Sequence, residues 1–519
     1  MDNIKLQALR QVINENLRVQ RGGADPIPYI NVVNSVEDAM SLQNHAIFAR
    51  RGCGKTLLLH YTARNLPENI KAVYLNCEDF KKHSYPNVLI EILDALFGEI
   101  ENQLTGWFGR KKASRELIKR MRSDLISLRK EPDHEDRDIR ESSAEESSSD
   151  KGASIGVQGR GLSTNFAENL TGKQKKELET RYQRSKAKIE ELDKLLPSLK
   201  RQVRDFFKAS KTVKFVFLQV DDFYHLSRPD QPLVMDYLHR ICKDVPLYFK
   251  IATLRHASIL YADRDGQPLG AQERHDYQPI NIDFDFSNLK RTQDQNRKIL
   301  REFGKLAKID NKEIDSLFKG EGFERLVLAG GGVPRDCLSL FLELLGHVQA
   351  PSGNGQIGKD EARILSRSNF ERRIEELKQD ADSSEQAVLI KGIYVLRKFC
   401  INRKTNMILL PEQVLQQNDN LRGLVYRLLD YRIIHNAGAA LTHKTHEGTF
   451  HAFVIDVGCY AHMRKLQGRF VEIDLAQSDA KEKMRSGPIL EESNFKSLWE
   501  SAPHDPETAM LEEEKEKES

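Results

Sequence analysis

Long apolar runs are missing from this chain. Nothing in its 519 residues approaches the roughly 20 consecutive apolar positions that cross a bilayer. The opening Met1-Asp2-Asn3-Ile4-Lys5-Leu6 has no apolar signal core. No membrane partner and a cytoplasmic location are therefore expected. Cysteine is scarce too. The six residues, Cys53, Cys77, Cys242, Cys337, Cys400 and Cys459, are scattered with no C-x-x-C pair. That spacing argues against structural zinc and a disulfide framework, and for a reducing compartment. An excess of one charge is also absent, since 80 Lys+Arg against 77 Asp+Glu leave +3. The chain is no polycation, and any nucleic-acid surface has to be a local patch.

What the sequence does have is one organising stretch, Asn44 to Leu59, read as strand, turn and helix. The apolar run Ala46-Ile47-Phe48-Ala49 stops at Arg50-Arg51-Gly52-Cys53-Gly54-Lys55-Thr56, and an apolar helix start follows from Leu57. Glycines let the backbone turn so that successive N–H groups face phosphate oxygens. The helix N-terminus adds partial positive charge at the same point. The pattern G-x-x-x-x-G-K-[ST] is met except at its first position, where Ala49 stands for Gly. Arg51, Gly52, Cys53, Gly54, Lys55, Thr56 and Leu57 are thus the candidate binding residues for ATP. Lys55 is assigned to the β- and γ-phosphates and the Thr56 hydroxyl to Mg²⁺. Tyr29 and Ile30, just before this unit, are weaker candidates for packing on the base.

A second buried strand is expected over 72–77 and an amphipathic helix over 88–104, the alternation of a parallel sheet covered on both faces. Residues 131–153 are rich in Ser and acids and are expected to be disordered. Leu178, Tyr182, Ser185, Ile189, Leu192, Leu196, Leu199, Val203 and Phe206 step as a heptad seam, interrupted at Pro197. The apolar strand 214–220 then ends in Asp221-Asp222. Two acids there suit a Walker B site, with Asp221 ordering the Mg²⁺ shell and Asp222 polarising the attacking water. Further strands are expected over 247–255 and 280–284, and Gly330-Gly331-Gly332-Val333-Pro334-Arg335 opens a helix.

Taken in this order, the motifs resemble those of AAA+ ATPases, in particular the origin-recognition-complex-like branch in its bacterial form, with features shared with STAND signalling ATPases. The resemblance covers 25–348 and the segment after the linker. It departs at Ala49, at Asp222 where many such enzymes carry Glu, and in the long insertion. It implies catalytic roles for Asp222, for Arg255 (with Thr253, in the sensor 1 region) and for Arg335 (at sensor 2). Arg240 and Arg255 are candidates for an intersubunit arginine finger, which implies a homo-oligomer.

The implied fold class is α/β: a P-loop AAA+ parallel sheet with a helical insertion and lid, followed by a winged-helix domain. The expected division is an N-terminal helix over 1–24, a nucleotide-binding domain over 25–290 with its insertion at 105–207, and a lid over 291–350. A linker over 351–383, the winged helix over 384–475 and a disordered acidic tail over 476–519 follow. Arg422 and Arg427 lie on the expected recognition helix with Arg432 at its end, and His443, Lys444 and His446 lie in the wing, as candidate contacts to DNA phosphates. The function implied is an ATP-hydrolysing switch that engages DNA, in a bacterial anti-phage defence or mobile-element setting. The alternative is a STAND-like ATPase that binds a protein partner and controls an effector without DNA.

Overall fold

The computed structural model describes residues 3–17, 29–31, 34–103, 110–130, 176, 180, 186–210, 212–264, 266–348, 355–381, 383–461, 463, 470–475, 477 and 479–518. The glycine break near 22–26, the Ser/acid stretch 131–153, most of the linker start and the first heptad positions lie outside them.

Strands in chain order are β1 (His45–Phe48), β2 (Ile70–Asn76), β3 (Phe215–Asp221), β4 (Leu247–Thr253), β5 (Tyr261–Arg264), β6 (Gln267–Gly270) and β7 (Gln278–Asn281). Five of them form one parallel sheet in the order β2-β3-β4-β1-β7. β5 and β6 form a separate antiparallel hairpin. β1 is buried along its whole length, as a strand covered on both faces requires. Its side chains alternate between two layers. Ala46 and Phe48 join the cluster of Leu93, Leu238 and Phe249, while Ile47 joins Leu58 and Leu59 of helix Lys55–Asn65.

The insertion stacks helix Arg110–Lys130 against Asn87–Gln103, and Lys186–Ala209 in turn against Arg110–Lys130. The expected interruption at Pro197 is not there; Lys186–Ala209 runs through it. A proline inside a helix costs about 3 kcal/mol. Here Ile189 and Leu192 before it, and Leu199, Val203 and Phe206 after it, are all buried. Burial of such side chains is worth about 1.5–3 kcal/mol each, so packing wins.

Beyond the sheet, helices Leu289–Leu306, Gly322–Ala329 and Pro334–Val348 build a second core. Helix Asn3–Asn16 joins that core through Leu6, Leu9 and Ile13. Helix Ser366–Asp380 leads to a third unit. It consists of helix Ser383–Arg403, β8 (Met407–Pro411), helices Glu412–Gln417 and Asp419–Asp430, β9 (Ile434–Thr442) and β10 (Thr449–Ile455). Its strands are antiparallel in the order β8-β10-β9.

The tail expected to be disordered is instead helical over Ala480–Met484, Glu492–Glu500 and Pro506–Glu518. Its glutamates have cationic partners on helix Ser383–Arg403: Glu514 is buried 3.1 Å from the Arg397 guanidinium, and Glu513 is 3.0 Å from Lys398. Among the described residues, no helix is long and apolar enough to cross a membrane.

Candidate nucleotide site

The loop after β1 turns on two glycines in the left-handed region, Gly52 at φ +90° and Gly54 at φ +93°. Only glycine takes these angles without a steric penalty. Gly52 is also needed for space, since a Cβ there would stand 2.9 Å from both Val333 Cγ1 and Arg335 Cβ. The Gly-Gly-Val-Pro-Arg turn therefore lies directly on the loop, and the Arg335 N–H donates to the Gly52 carbonyl at 3.3 Å. Tyr29 packs beside the same turn, 3.9 Å from where a Cβ on Gly54 would be, and its hydroxyl is 3.1 Å from that of Ser35. Burial pushes its phenol up to about 12.

Lys55 is buried, and its ammonium donates to the carbonyls of Ala49 at 3.0 Å and Arg50 at 3.5 Å. Thr56 stands beside the carboxylate of Asp221, at the end of β3, and lowers its proton affinity. That carboxylate accepts from the Tyr74 hydroxyl and from the Asp222 N–H, both at 2.9 Å. Burial, then the charge of Asp222, push Asp221 up to about 6, against the pull of Thr56 and Lys55. A buried acid with raised proton affinity beside a hydroxyl suits a cation. Among the described residues no group of three or more His, Cys, Asp or Glu converges to hold a metal. Thr56 and Asp221 as donors, completed by water and phosphate oxygens, fit Mg²⁺ rather than an all-protein cage.

Asp222 adopts φ 49°, ψ 43°, a left-handed conformation that Asp and Asn tolerate better than most residues. β4 lies between β1 and β3, so Thr253 ends its strand between the loop and the acid pair. Its hydroxyl is 2.5 Å from that of Ser258, and its carbonyl accepts from Ala49 N–H at 3.4 Å.

Other residues singled out in the sequence are engaged with partners of their own. Arg255 forks onto Glu273 at 2.9 and 3.0 Å and lies over the Phe48 ring at 4.3 Å. Arg335 donates to both carboxylate oxygens of Glu376 at 3.3 Å. Arg240 pairs with Asp193 and Asp236 on the insertion side. Arg51 is 2.5 Å from Asp380. Cys53 is buried, and burial holds its thiol protonated well above the usual range.

Sequence reasoning missed Arg50, which ties the loop to the rest of the molecule. Its guanidinium forks onto Asp283 at 2.6 and 2.9 Å. It also donates to the carbonyls of Gly331 at 2.9 Å and Phe284 at 3.0 Å, and meets His435 Nδ1 at 3.3 Å. Burial opposes the charge on Asp283, yet Arg50 holds that carboxyl below the usual range.

His435 belongs to β9, so the third unit sits directly on the phosphate loop. Arg432 donates to the Arg51 carbonyl and to both Asp336 oxygens at 3.1 Å, and pairs with Glu376. Arg373, fully buried, bridges Asp336 at 3.1 Å and Asp456. Asp430 accepts the backbone N–H groups of His256 at 2.6 Å and Ala257 at 2.7 Å, just beyond β4, while the His256 ring stacks on Tyr426 at 4.6 Å.

Two buried groups at this contact titrate in opposite senses. Burial pushes His435 down to about 4, and the bond to Asp456 recovers only part of that. Arg50 Nη1 donates to Nδ1, so the proton sits on Nε2 and is given to Asp456 at 2.9 Å. Arg373, Phe286 and Gly331 also face this ring. With its pKa depressed from about 6.5, His435 stabilises docking above that pH, and the contribution is lost as pH falls toward 4.

Burial pushes Asp430 up to about 6, against its two backbone donors and Lys55, with Asp283 adding to the rise. Its linkage is the reverse: docking gains as pH falls through about 6. Each linkage amounts to roughly 3 kcal/mol. Asp221, also pushed up to about 6, contributes in the same sense as Asp430 and is common to wild type and variant, so their difference isolates Asp430. Asp430→Asn should lose on the order of 2 kcal/mol relative to wild type between about pH 6.5 and 4.5 in urea titrations. A variant whose stability follows the wild-type pH profile would refute the assignment to Asp430.

The cations expected at a DNA surface are engaged within the chain. Arg422 donates to Asp419 at 2.6 Å and to the Leu415 carbonyl at 3.2 Å. Arg427 donates to Glu385 at 2.7 Å, Arg432 is buried as described, and Lys444 is 2.8 Å from Glu482. His446 is exposed and His443 half-buried, and the two face each other, Nδ1 to Nδ1 at 3.0 Å. No protein-family model matches this chain, and no curated protein matches it.

Proposed function

We propose that this chain is an ATP-dependent molecular switch of AAA+ type, in which the C-terminal unit, a winged helix, is latched onto the phosphate loop and is released or reset by nucleotide. One observation carries the reading: a glycine-turned loop places Lys55 and Thr56 beside the Asp221-Asp222 pair at the carboxyl ends of parallel strands. That is the ligand side of an open α/β sheet. When bound, Mg²⁺ supplies Lewis-acid stabilisation of the phosphoryl oxygens.

The protein's own residues supply the rest. The loop amides and Lys55 orient the phosphates, Thr56 and Asp221 hold the metal shell, and Asp222 accepts a proton from the attacking water. Thr253 stands between them to sense the γ-phosphate. Arg335 is held by Glu376 through two bonds, and on breaking them it can reach the loop it already lies on. Arg255 would have to leave Glu273 to act in a neighbouring subunit of a homo-oligomer.

The latch supports the switch over a constitutive DNA binder. Arg432, His435 and Asp430 all hold the C-terminal unit on the ATPase core. This favours a signalling role with an effector partner as the outcome of release. Small-angle scattering with and without ATP and Mg²⁺ tests it, with binding verified by calorimetry. The radius of gyration is expected to grow with ATP and not with ADP; identical curves at saturation would exclude release.

DNA contact through the helix Asp419–Asp430 is the second reading, favoured by the exposed hairpin that carries His443, Lys444 and His446. Removing one cation that grips a phosphate lowers the salt slope of log K by roughly 0.9. Because Arg422 and Lys444 already have carboxylate partners, the Arg422→Ala/Lys444→Ala double variant is expected to change the slope by less than about 0.9. Fluorescence anisotropy on duplex DNA measures it. A drop of about 1.8 would place DNA on this helix.

A further inference from the structure

The helix Pro506–Glu518 carries six glutamates and two lysines (PETAMLEEEKEKE). It lies on helix Ser383–Arg403, which carries Lys391, Arg397, Lys398 and Arg403 against a single acid, Glu385. The contact is made by charge. Glu507 is 2.7 Å from Lys378, Glu513 is 3.0 Å from Lys398 and 3.3 Å from Arg397, and Glu514 is 3.1 Å from Arg397 and 3.2 Å from Arg367. Apolar anchoring is slight. Among the residues of this helix whose side chains are described, only Met510 and Glu514 are buried, and Leu511 is exposed.

Arg397 is the exception to a surface pairing. Its side chain is 2% exposed, with Nε given to the Cys459 carbonyl and its two remaining nitrogens directed at Glu513 and Glu514. A buried guanidinium stripped of its carboxylates is left as an uncompensated charge unless another anion replaces them. Lifting the helix therefore creates a demand for an anion on a face that already holds Arg367, Lys378 and Lys398.

We propose that Pro506–Glu518 is a removable acidic cover over an anion-binding face formed by Arg367, Lys378, Arg397 and Lys398, and that the partner competing for this face is duplex nucleic acid. A protein partner would be anchored by apolar and aromatic side chains at the centre of its interface. The cover uses almost none, and its cationic contacts come from two helices, which suits a linear polyanion held by phosphates. The cover explains how a chain of net charge +3 keeps this patch from binding nucleic acid indiscriminately. Helix Ser366–Asp380, which carries Arg367 and Lys378, also meets the phosphate loop through Asp380 and Arg51, so the test is run without nucleotide.

The test uses the full chain with Glu507→Gln, Glu513→Gln and Glu514→Gln together, which keeps the helix shape and removes its charge. Anisotropy of a fluorescent duplex at low salt is expected to show at least about tenfold tighter binding than wild type, with a salt slope steeper by about 0.9 for each phosphate engaged. Adding Lys378→Ala and Lys398→Ala to the triple variant should return affinity and slope toward wild type. Thermal melts establish that the variants fold.

A chain truncated after His504 provides a second arm, titrated with duplex DNA and, separately, with a synthetic peptide of residues 505–518. Binding of both, in competition, is expected. A triple variant that folds yet binds duplex no more tightly than wild type overturns the proposal. So does a truncated chain that takes the acidic peptide but not DNA, which would make the face a docking site for acidic protein helices.

Discussion

Asp222→Asn should retain ATP and lose turnover by at least about 100-fold, the lower range for removing a general base. The substitution is well placed to isolate chemistry from folding. Asp222 sits in the left-handed region, and asparagine is as tolerant of that conformation as aspartate. Its backbone N–H, which donates to Asp221 at 2.9 Å, is untouched, so the Asp221 carboxylate keeps its orientation. An amide cannot take a proton from the attacking water. Single-turnover phosphate release with saturating ATP reads the step directly, and calorimetry should show an affinity within about threefold of wild type, since the phosphates meet other groups. Asp222→Glu gives a complementary arm. If reach limits the native base, the longer side chain raises the rate. An Asp222→Asn variant that releases phosphate as fast as wild type would assign the base to another residue.

The parts of the site that were legible in the sequence are those whose residues are neighbours along the chain. Ala46 to Leu59 brings strand, glycines, lysine and threonine together within a few residues, and the strand into Asp221-Asp222 is equally local. What stayed hidden depends on distant pairs. Arg50 meets Asp283 and His435 across 233 and 385 positions, and nothing local separates it from a solvated arginine in a loop. The same logic misled for the tail. A run of glutamates near the end has the composition of a disordered segment, but Glu514 has Arg397 as its partner 117 positions away. Arg422 and Arg427 were correctly placed on a helix, Asp419–Asp430. Asp419, three positions from Arg422, was within view, but Glu385 lies 42 positions from Arg427, and composition alone does not say whether an arginine faces a phosphate or a neighbour. The β5–β6 hairpin was missed because its strands are only four residues each.

Lys55→Ala is expected to have the largest effect on ligand binding. The loop region contains three cations, and two are already committed to carboxylates, Arg50 to Asp283 and Arg51 to Asp380. Lys55 instead donates to the carbonyls of Ala49 and Arg50, neutral partners that an arriving phosphate outcompetes. Charge-assisted hydrogen bonds are each worth about 1.5–3 kcal/mol, so losing the two that the ammonium gives to the β- and γ-phosphates weakens ATP by roughly 10³-fold. The apo fold should survive. The variant removes one donor from two carbonyls at the turn, a cost on the order of 1–2 kcal/mol, while Leu58 and Leu59 of the same helix stay in the core. Calorimetry should therefore show no saturable heat with ATP and Mg²⁺ at concentrations that saturate wild type, and ATP should no longer raise the melting temperature. Lys55→Arg distinguishes charge from shape. A planar guanidinium on a longer stem cannot occupy the same turn, so it should recover only part of the affinity. Wild-type affinity in Lys55→Ala would remove the nucleotide from this loop, and with it the switch built on it.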